Sequence, residues 1–207
     1  QSLQSNEKTQ IMATGLLKGK KGIIFGALNE ESIAWKAALQ AHDEGATFVL
    51  SNAPMALRMG EINKLAEATG SQVIGADATS IEELEALMTQ AQEVLGGKLD
   101  FILHSIGMSP NVRKKKEYTD LNYDWYHKTL DISAMSFHKV MSVAYKQDAM
   151  NEYGSIVALT YIAAQRIFPD YSDMAEAKSM LESIARSFGM RWAAKKVRVN
   201  TISQSPT

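Results

Sequence analysis

Short apolar runs recur along the chain at Ile23–Phe25, Phe48–Leu50, Val73–Ile74, Phe101–Leu103, Ile156–Leu159 and Val197–Ile202. Most are continuous and not alternating, the pattern of strands covered on both faces by helices. Between them apolar positions fall at helical spacing, as in Ile33, Ala37 and Ala41, or Leu84, Leu87, Ala91 and Leu95. This β-α-β-α-β-α-β-α-β-α-β order predicts an α/β domain with a three-layer, doubly wound parallel sheet. Its strand carboxyl ends, and therefore any ligand crevice, gather on one edge. Two longer helical stretches are predicted over Leu121–Met150 and Met174–Trp192. The first is apolar around much of its circumference and the second carries a long apolar series. Surplus apolar helix surface of this kind points to packing against another subunit, so a homo-oligomer is expected.

Composition narrows the functional classes. The chain has 207 residues, 22 Lys plus Arg against 23 Asp plus Glu, and a formal net charge of -1. That balance leaves no broad basic field for nucleic acid or anionic lipid, so neither is expected as a partner. No apolar run approaches the roughly 20 residues that cross a bilayer, and the polar start lacks the apolar stretch of a secretory signal. A soluble, unexported protein is the expectation. The absence of cysteine removes disulfides, thiolate nucleophiles and Cys-ligated zinc, and four scattered histidines make a His-based metal site a poor expectation. Residues 1–17 read as an arm or remnant ahead of the fold, and residues 18–207 as a single domain.

Candidate chemistry sits at the strand ends. After the first strand, Gly26 permits close backbone approach to a phosphate, and Ser32 opens the next helix either as phosphate ligand or as a plain N-cap. The three-glycine dinucleotide fingerprint is absent. Ser51-Asn52-Ala53-Pro54 ends the second strand with neither a carboxylate for a ribose hydroxyl nor an adjacent base for a 2′-phosphate. Asp77, followed by Ala78, could accept from an adenine amino group or serve as a solvated turn residue. His104-Ser105-Ile106-Gly107-Met108-Ser109-Pro110 ends the fourth strand; Gly107 again allows close approach, and His104 reads better as a packed core histidine than as a catalytic one. The run Arg113-Lys114-Lys115-Lys116 reads as a solvated loop in preference to an anion site, because Glu117 and Asp120 follow.

The sharpest signal lies between Tyr161 and Lys178. Tyr171 and Lys178 are seven residues apart, nearly two helical turns, and share a face if the helix starts near Tyr171. Lys178 interrupts the apolar series Met174, Leu181, Ala185 and Phe188, so its charge needs a partner unless it snorkels to the helix edge. An ammonium beside a tyrosine would favour the phenolate or strengthen the phenol as a donor, and could also grip ribose hydroxyls.

Taken together, Gly26-x5-Ser32-Ile33-Ala34, Asp77, Ser105-Ile106-Gly107-x2-Pro110, Asp131-Ile132-Ser133, Tyr161, Tyr171-x6-Lys178 and Val197-Arg198-Val199-Asn200 resemble the NADH-type enoyl-[acyl-carrier-protein] reductases, a divergent branch of the short-chain dehydrogenase/reductases with a Rossmann-type fold. The resemblance runs from about residue 18 to the end, and the six-residue gap between Tyr171 and Lys178 is its most specific element. It implies reduction of the trans-2 double bond of an enoyl thioester in fatty acid elongation, with NADH as cofactor and NADPH not excluded. By the same resemblance Tyr161, Tyr171 and Lys178 are the catalytic group. Gly26, Ser32, Ile33, Asp77, Ala78, Ser105, Ile106, Gly107, Lys178 and Thr207 would hold the cofactor, and Ser109, Tyr161 and Tyr171 the substrate. It further implies an acyl carrier protein-bound substrate, a tetramer built as a dimer of dimers, and a cytoplasmic enzyme.

Two departures stand out. Ala53 replaces a polar residue that helps hold the adenosine ribose. The chain also stops after the sixth strand, so the family's substrate flap, C-terminal helix and last strand are expected to be missing. Two other functions fit the same fold: a carbonyl reductase of the short-chain dehydrogenase family, disfavoured by the wide tyrosine spacing, and a nucleotide-binding module without catalysis.

Overall fold

A computed structural model describes residues 13–204. Six strands form one parallel sheet in the order β3-β2-β1-β4-β5-β6. They are β1 (Lys21–Phe25), β2 (Thr47–Ser51), β3 (Gln72–Val73), β4 (Leu99–His104), β5 (Met150–Tyr161) and β6 (Arg198–Gln204). Strand order reverses between β1 and β4, so their carboxyl ends open the crevice at the topological switch point.

Helices α1 (Ile33–Asp43) and α3 (Ile62–Thr69) cover one face, their Ala34, Ala38, Ile62 and Leu65 meeting Ile24, Phe48 and Leu50 of the strands. A short helix, α2 (Pro54–Met59), precedes α3. On the other face lie α4 (Ile81–Leu95), α7 (Ser136–Lys146) and α8 (Asp173–Ala193). In α4, Leu84, Leu87, Met88 and Ala91 form the buried stripe; Ser80 caps its start by accepting from the Glu83 N–H, and Gly96 closes it in the left-handed conformation.

Three expectations change on the structure. First, Leu121–Met150 is not one helix. It divides into α6 (Tyr123–Leu130), a π-helical turn over Asp131–Met135, and α7, which stops at Lys146; Met150 already belongs to β5. The extra residue of the π turn coincides with two buried serines that turn away from solvent: Ser133 bonds both backbone groups of Met108, and the Ser136 hydroxyl reaches His104. Second, only β1 and β2 are continuously buried, whereas β5 alternates over its second half and β6 is largely exposed. The exposure of β6 follows from its place at the edge of the described sheet. Third, the fold begins before residue 18: the Glu44 carboxylate accepts from the backbone N–H groups of Thr14 and Leu16 at 3.1 and 2.9 Å, and Leu17 packs on the core.

One glycine records how tightly β1 and β4 meet. Gly22 pairs with Phe101, and any side chain at 22 would overlap the Phe101 ring. Gly22→Ala is expected to cost about 1–3 kcal/mol of stability through overpacking. The urea midpoint reads this directly, and an unchanged midpoint would mean the ring has room to move.

Candidate active site

At the floor of the crevice, Gly26 leaves β1 with φ 92°, and a side chain there would collide with the carbonyl of Ser105 leaving β4. Glycine is thus demanded by the approach of two strand exits, whatever binds above them. Nearby, the Ser32 hydroxyl donates to the Asn29 carbonyl at 2.7 Å and accepts from the Leu28 N–H at 3.2 Å. It therefore shapes the turn and does not cap α1. The helix's first N–H groups, beginning with that of half-exposed Ile33, are left without a side-chain cap, an arrangement suited to an anion.

Asp77 proves to be a turn residue as well as a candidate ligand. Its Oδ1 accepts from the Thr79 N–H at 2.9 Å and the Thr79 hydroxyl at 2.7 Å, while its own N–H donates to Glu83. Ala78 beside it is buried. At the end of β2, Asn52 is spent on local structure, donating to the Ala27 carbonyl at 3.0 Å and accepting from the Ala53 N–H. No carboxylate occupies that strand end.

Beyond β4, half-buried Ser105 donates its N–H to the Phe25 carbonyl at 3.3 Å and Ile106 leans on the core. Gly107 is exposed; a Cβ there would lie 3.8 Å from the Lys178 ammonium and 3.7 Å from Met174. The crevice wall and α8 meet at this point. His104 is the core histidine expected: it is buried, its Nε2 lies 2.8 Å from the Ser136 hydroxyl, and its ring tilts on Phe137. Burial, then the charge of Lys178, lowers its pKa to about 3, so it stays neutral.

Lys178 itself is buried, and its ammonium donates to the Leu159 carbonyl at 2.8 Å. None of the ion pairs among the described residues involves it. An ammonium has three donor hydrogens, so two remain for a ligand. Two residues further along β5, Tyr161 is buried with its ring centroid 4.7 Å from that of Tyr171 and 5.2 Å from that of Phe168. Tyr171 is partly buried. Its phenol pKa is raised, first by burial and then by Tyr161, which, of the two expected effects, leaves the phenol as a donor and not the phenolate. The helical-turn argument also needs revision: α8 begins at Asp173, and Tyr171 lies on the link ahead of it. Tyr171 and Lys178 each reach the end of β5, Tyr171 by its ring on Tyr161 and Lys178 by its bond to the Leu159 carbonyl.

Ser109, which the resemblance places at the substrate, has structural bonds of its own. It caps the short helix α5 (Pro110–Arg113) by accepting from Val112 N–H and donates its hydroxyl to Asp173 at 2.6 Å, buried in a polar cluster. Asp173, Asn111 and Thr129, which complete that cluster, carry no sequence signal, since an acidic residue in a helix's first turn is ordinary. Thr207 lies outside the described residues. Behind the tyrosines, the loops after β4 and β5 frame a groove of about 970 Å³ lined in part by Lys115, Lys116, Arg166, Phe168, Asp170 and Ser172.

Comparison with known proteins decides the family. A model described as enoyl-(acyl carrier protein) reductase matches residues 26–207. The chain belongs to the enoyl-[acyl-carrier-protein] reductase family. It is 35% identical to the NADH enoyl-[acyl-carrier-protein] reductase 1 of Rhizobium meliloti (strain 1021), over 94% of this chain and 70% of that protein. Among solved structures it is similar to the FabI–NADH complex of Alistipes finegoldii, with a TM-score of 0.91 and 62% identity over 93% of this chain and 68% of that one. It is also similar to the Bacillus cereus reductase with NADP+ and an indole naphthyridinone, at a TM-score of 0.83 and 31% identity over 92% and 74% of the two chains. Both nicotinamide cofactors thus occur on relatives of this reductase fold.

Burial brings the Lys178 ammonium down to about 8 from its ordinary 10.5. Between about pH 8 and 10.5 the unfolded chain then holds a proton that the folded chain lacks, so this residue's contribution to stability rises with pH across that window. The difference in unfolding free energy between wild type and Lys178→Met should move in favour of wild type from pH 8 to 10.5 in denaturant titrations. A difference that does not change with pH would contradict the depressed lysine.

Proposed function

We propose that this reductase uses NADH to reduce the trans-2 double bond of enoyl thioesters carried by acyl carrier protein, a step of fatty acid elongation. The observation that carries the reading is that the end of β5 holds Tyr161 with the Tyr171 ring against it and, two residues earlier, the Leu159 carbonyl that receives Lys178, beside exposed Gly107 at the switch point of a doubly wound sheet. The residues suit a nicotinamide dinucleotide: the uncapped start of α1 suits a pyrophosphate, and Lys178 has two donor hydrogens uncommitted and no carboxylate to neutralise it. Ser32, Ile33 and Gly26 would shape the phosphate turn, Asp77 and Ala78 the adenine end, and Ser105, Ile106 and Gly107 the nicotinamide wall.

NADH, when bound, supplies the hydride that the β-carbon of the enoyl group accepts. That transfer would leave negative charge on the thioester oxygen until the α-carbon takes a proton from water. Tyr171, kept protonated by burial and by Tyr161, donates a hydrogen bond to the developing oxyanion. Lys178 holds the cofactor's ribose hydroxyls, and Tyr161 braces Tyr171 through ring contact. The groove behind the tyrosines supports an approach for the acyl thioester from that side. Exposed Tyr123, Met135 and Met190 on α6, the π turn and α8 support the reading of a homo-oligomer; that it is a tetramer built as a dimer of dimers rests on the family resemblance alone. A cytoplasmic place is the one we propose for work on a carrier-bound substrate; no helix among the described residues is long and apolar enough to cross a membrane.

Loss of NADH absorbance with crotonyl-CoA tests the reaction, and no turnover with either NADH or NADPH would remove it. Tyr171→Phe should lower kcat by about a hundredfold or more while NADH affinity stays near wild type. Lys178→Ala should weaken NADH binding as well, and unchanged affinity in that variant would contradict its ribose role.

A further inference from the structure

Tyr171 sits between two residues with positive φ. Asp170 has φ 67°, and Ser172 has φ 51° with ψ −138°, a combination close to a region that glycine alone favours. Such conformations persist when neighbouring structure imposes them. The next residue supplies the imposition. The carboxylate of Asp173, the first residue of α8, is 0% exposed. Its Oδ1 accepts from the Ser109 hydroxyl at 2.6 Å, and its Oδ2 accepts from the Asn111 side-chain amide at 2.8 Å and the Thr129 hydroxyl at 2.9 Å, whose one hydrogen is shared with the Trp125 carbonyl at 2.9 Å. Asn111 is itself held by the backbone N–H and C=O of Asn122, each at 3.1 Å. All three donors are neutral, and none of the ion pairs among the described residues includes Asp173.

We propose that Asp173 is a positioning residue for Tyr171, its buried carboxylate pinning the start of α8 to the loop after β4 and to α6 so that Ser172 keeps its unfavourable backbone and the Tyr171 ring stays against Tyr161. The inference rests on the reading above, in which Tyr171 is the oxyanion donor. Ser109 and Asn111, the cap and second residue of α5, follow directly on Gly107, so the same carboxylate also locks the two walls of the crevice together. Without the anchor, Ser172 relaxes to ordinary backbone geometry and the phenol leaves its place.

Asp173→Asn keeps the shape and confronts the three donors with an amide N–H. Far-UV circular dichroism checks that the variant folds. The expected kcat loss is about tenfold to a hundredfold, with the NADH dissociation constant changed by about twofold or less. In a Tyr171→Phe background the same substitution should change kcat by less than about twofold, because the residue it acts through is already disabled. Equal losses in both backgrounds would show a general structural role and overturn the proposal. A second readout needs no turnover. The tyrosinate absorbance difference between a chain and its Tyr171→Phe partner isolates the Tyr171 titration, which should fall back toward 10 in Asp173→Asn. An unmoved titration would also overturn the proposal. If Asp173→Asn does not fold, Thr129→Val and Ser109→Ala, each removing one donor, are expected to give smaller losses that vanish in the Tyr171→Phe background; losses that persist there refute it. Absence of all turnover in wild type would defeat the enzymatic reading, while the titration still decides whether Asp173 positions the phenol.

Discussion

An ammonium buried against the end of β5, with a carbonyl and, among the described residues, no carboxylate to receive it, is the constraint around which this site is arranged. Lys178 gives up solvation to rest on Leu159, and burial lowers its pKa accordingly. A neighbouring carboxylate would stabilise that charge in the empty protein and would compete with any ligand hydroxyl for its hydrogens. Leaving the charge under-satisfied keeps it available. The same strand end carries Tyr161, and Tyr161 receives the ring of Tyr171, so β5 collects both polar groups within three residues of chain.

Two features of the surroundings preserve that arrangement. At the switch point, Gly26 and the Ser105 carbonyl are so close that no side chain fits between them, which keeps the exits of β1 and β4 together beneath the crevice. Above it, the π turn over Asp131–Met135 accompanies Ser133 on Met108 and Ser136 on His104, tying the β4 exit to the helical layer. His104 takes no charge in this setting, because burial and the nearby ammonium both oppose protonation. The polar groups around the crevice are therefore divided between structure and chemistry: Ser32, Asp77 and Ser109 all have well-formed structural bonds, while Lys178 and Tyr171 retain capacity for a ligand.

Much of this was legible in the amino-acid order. Continuous apolar runs separated by helical stripes depend on local spacing alone, so the six strands, the helical layers and the crevice edge follow from periodicity, and the Tyr171-x6-Lys178 spacing marks the family. Periodicity misled where backbone geometry departs from a regular helix. The stretch after Leu121 kept an apolar pattern through a π turn, which shifts the helical phase without announcing itself in composition, and the turn count from Tyr171 to Lys178 assumed a helix that begins only at Asp173.

What only the tertiary structure decided is who each polar residue bonds. Ser109 and Asp173 are 64 residues apart in the chain and meet at 2.6 Å, a pairing that no local pattern encodes because it depends on how two loops and α6 pack over the sheet edge. The same holds for the Tyr171 phenol, raised by the burial that packing creates. The chain by itself determined which residues could do the chemistry, through their types and spacing. Packing determined which were already committed to holding the fold, because a hydrogen bond depends on distance in space and not on distance in sequence.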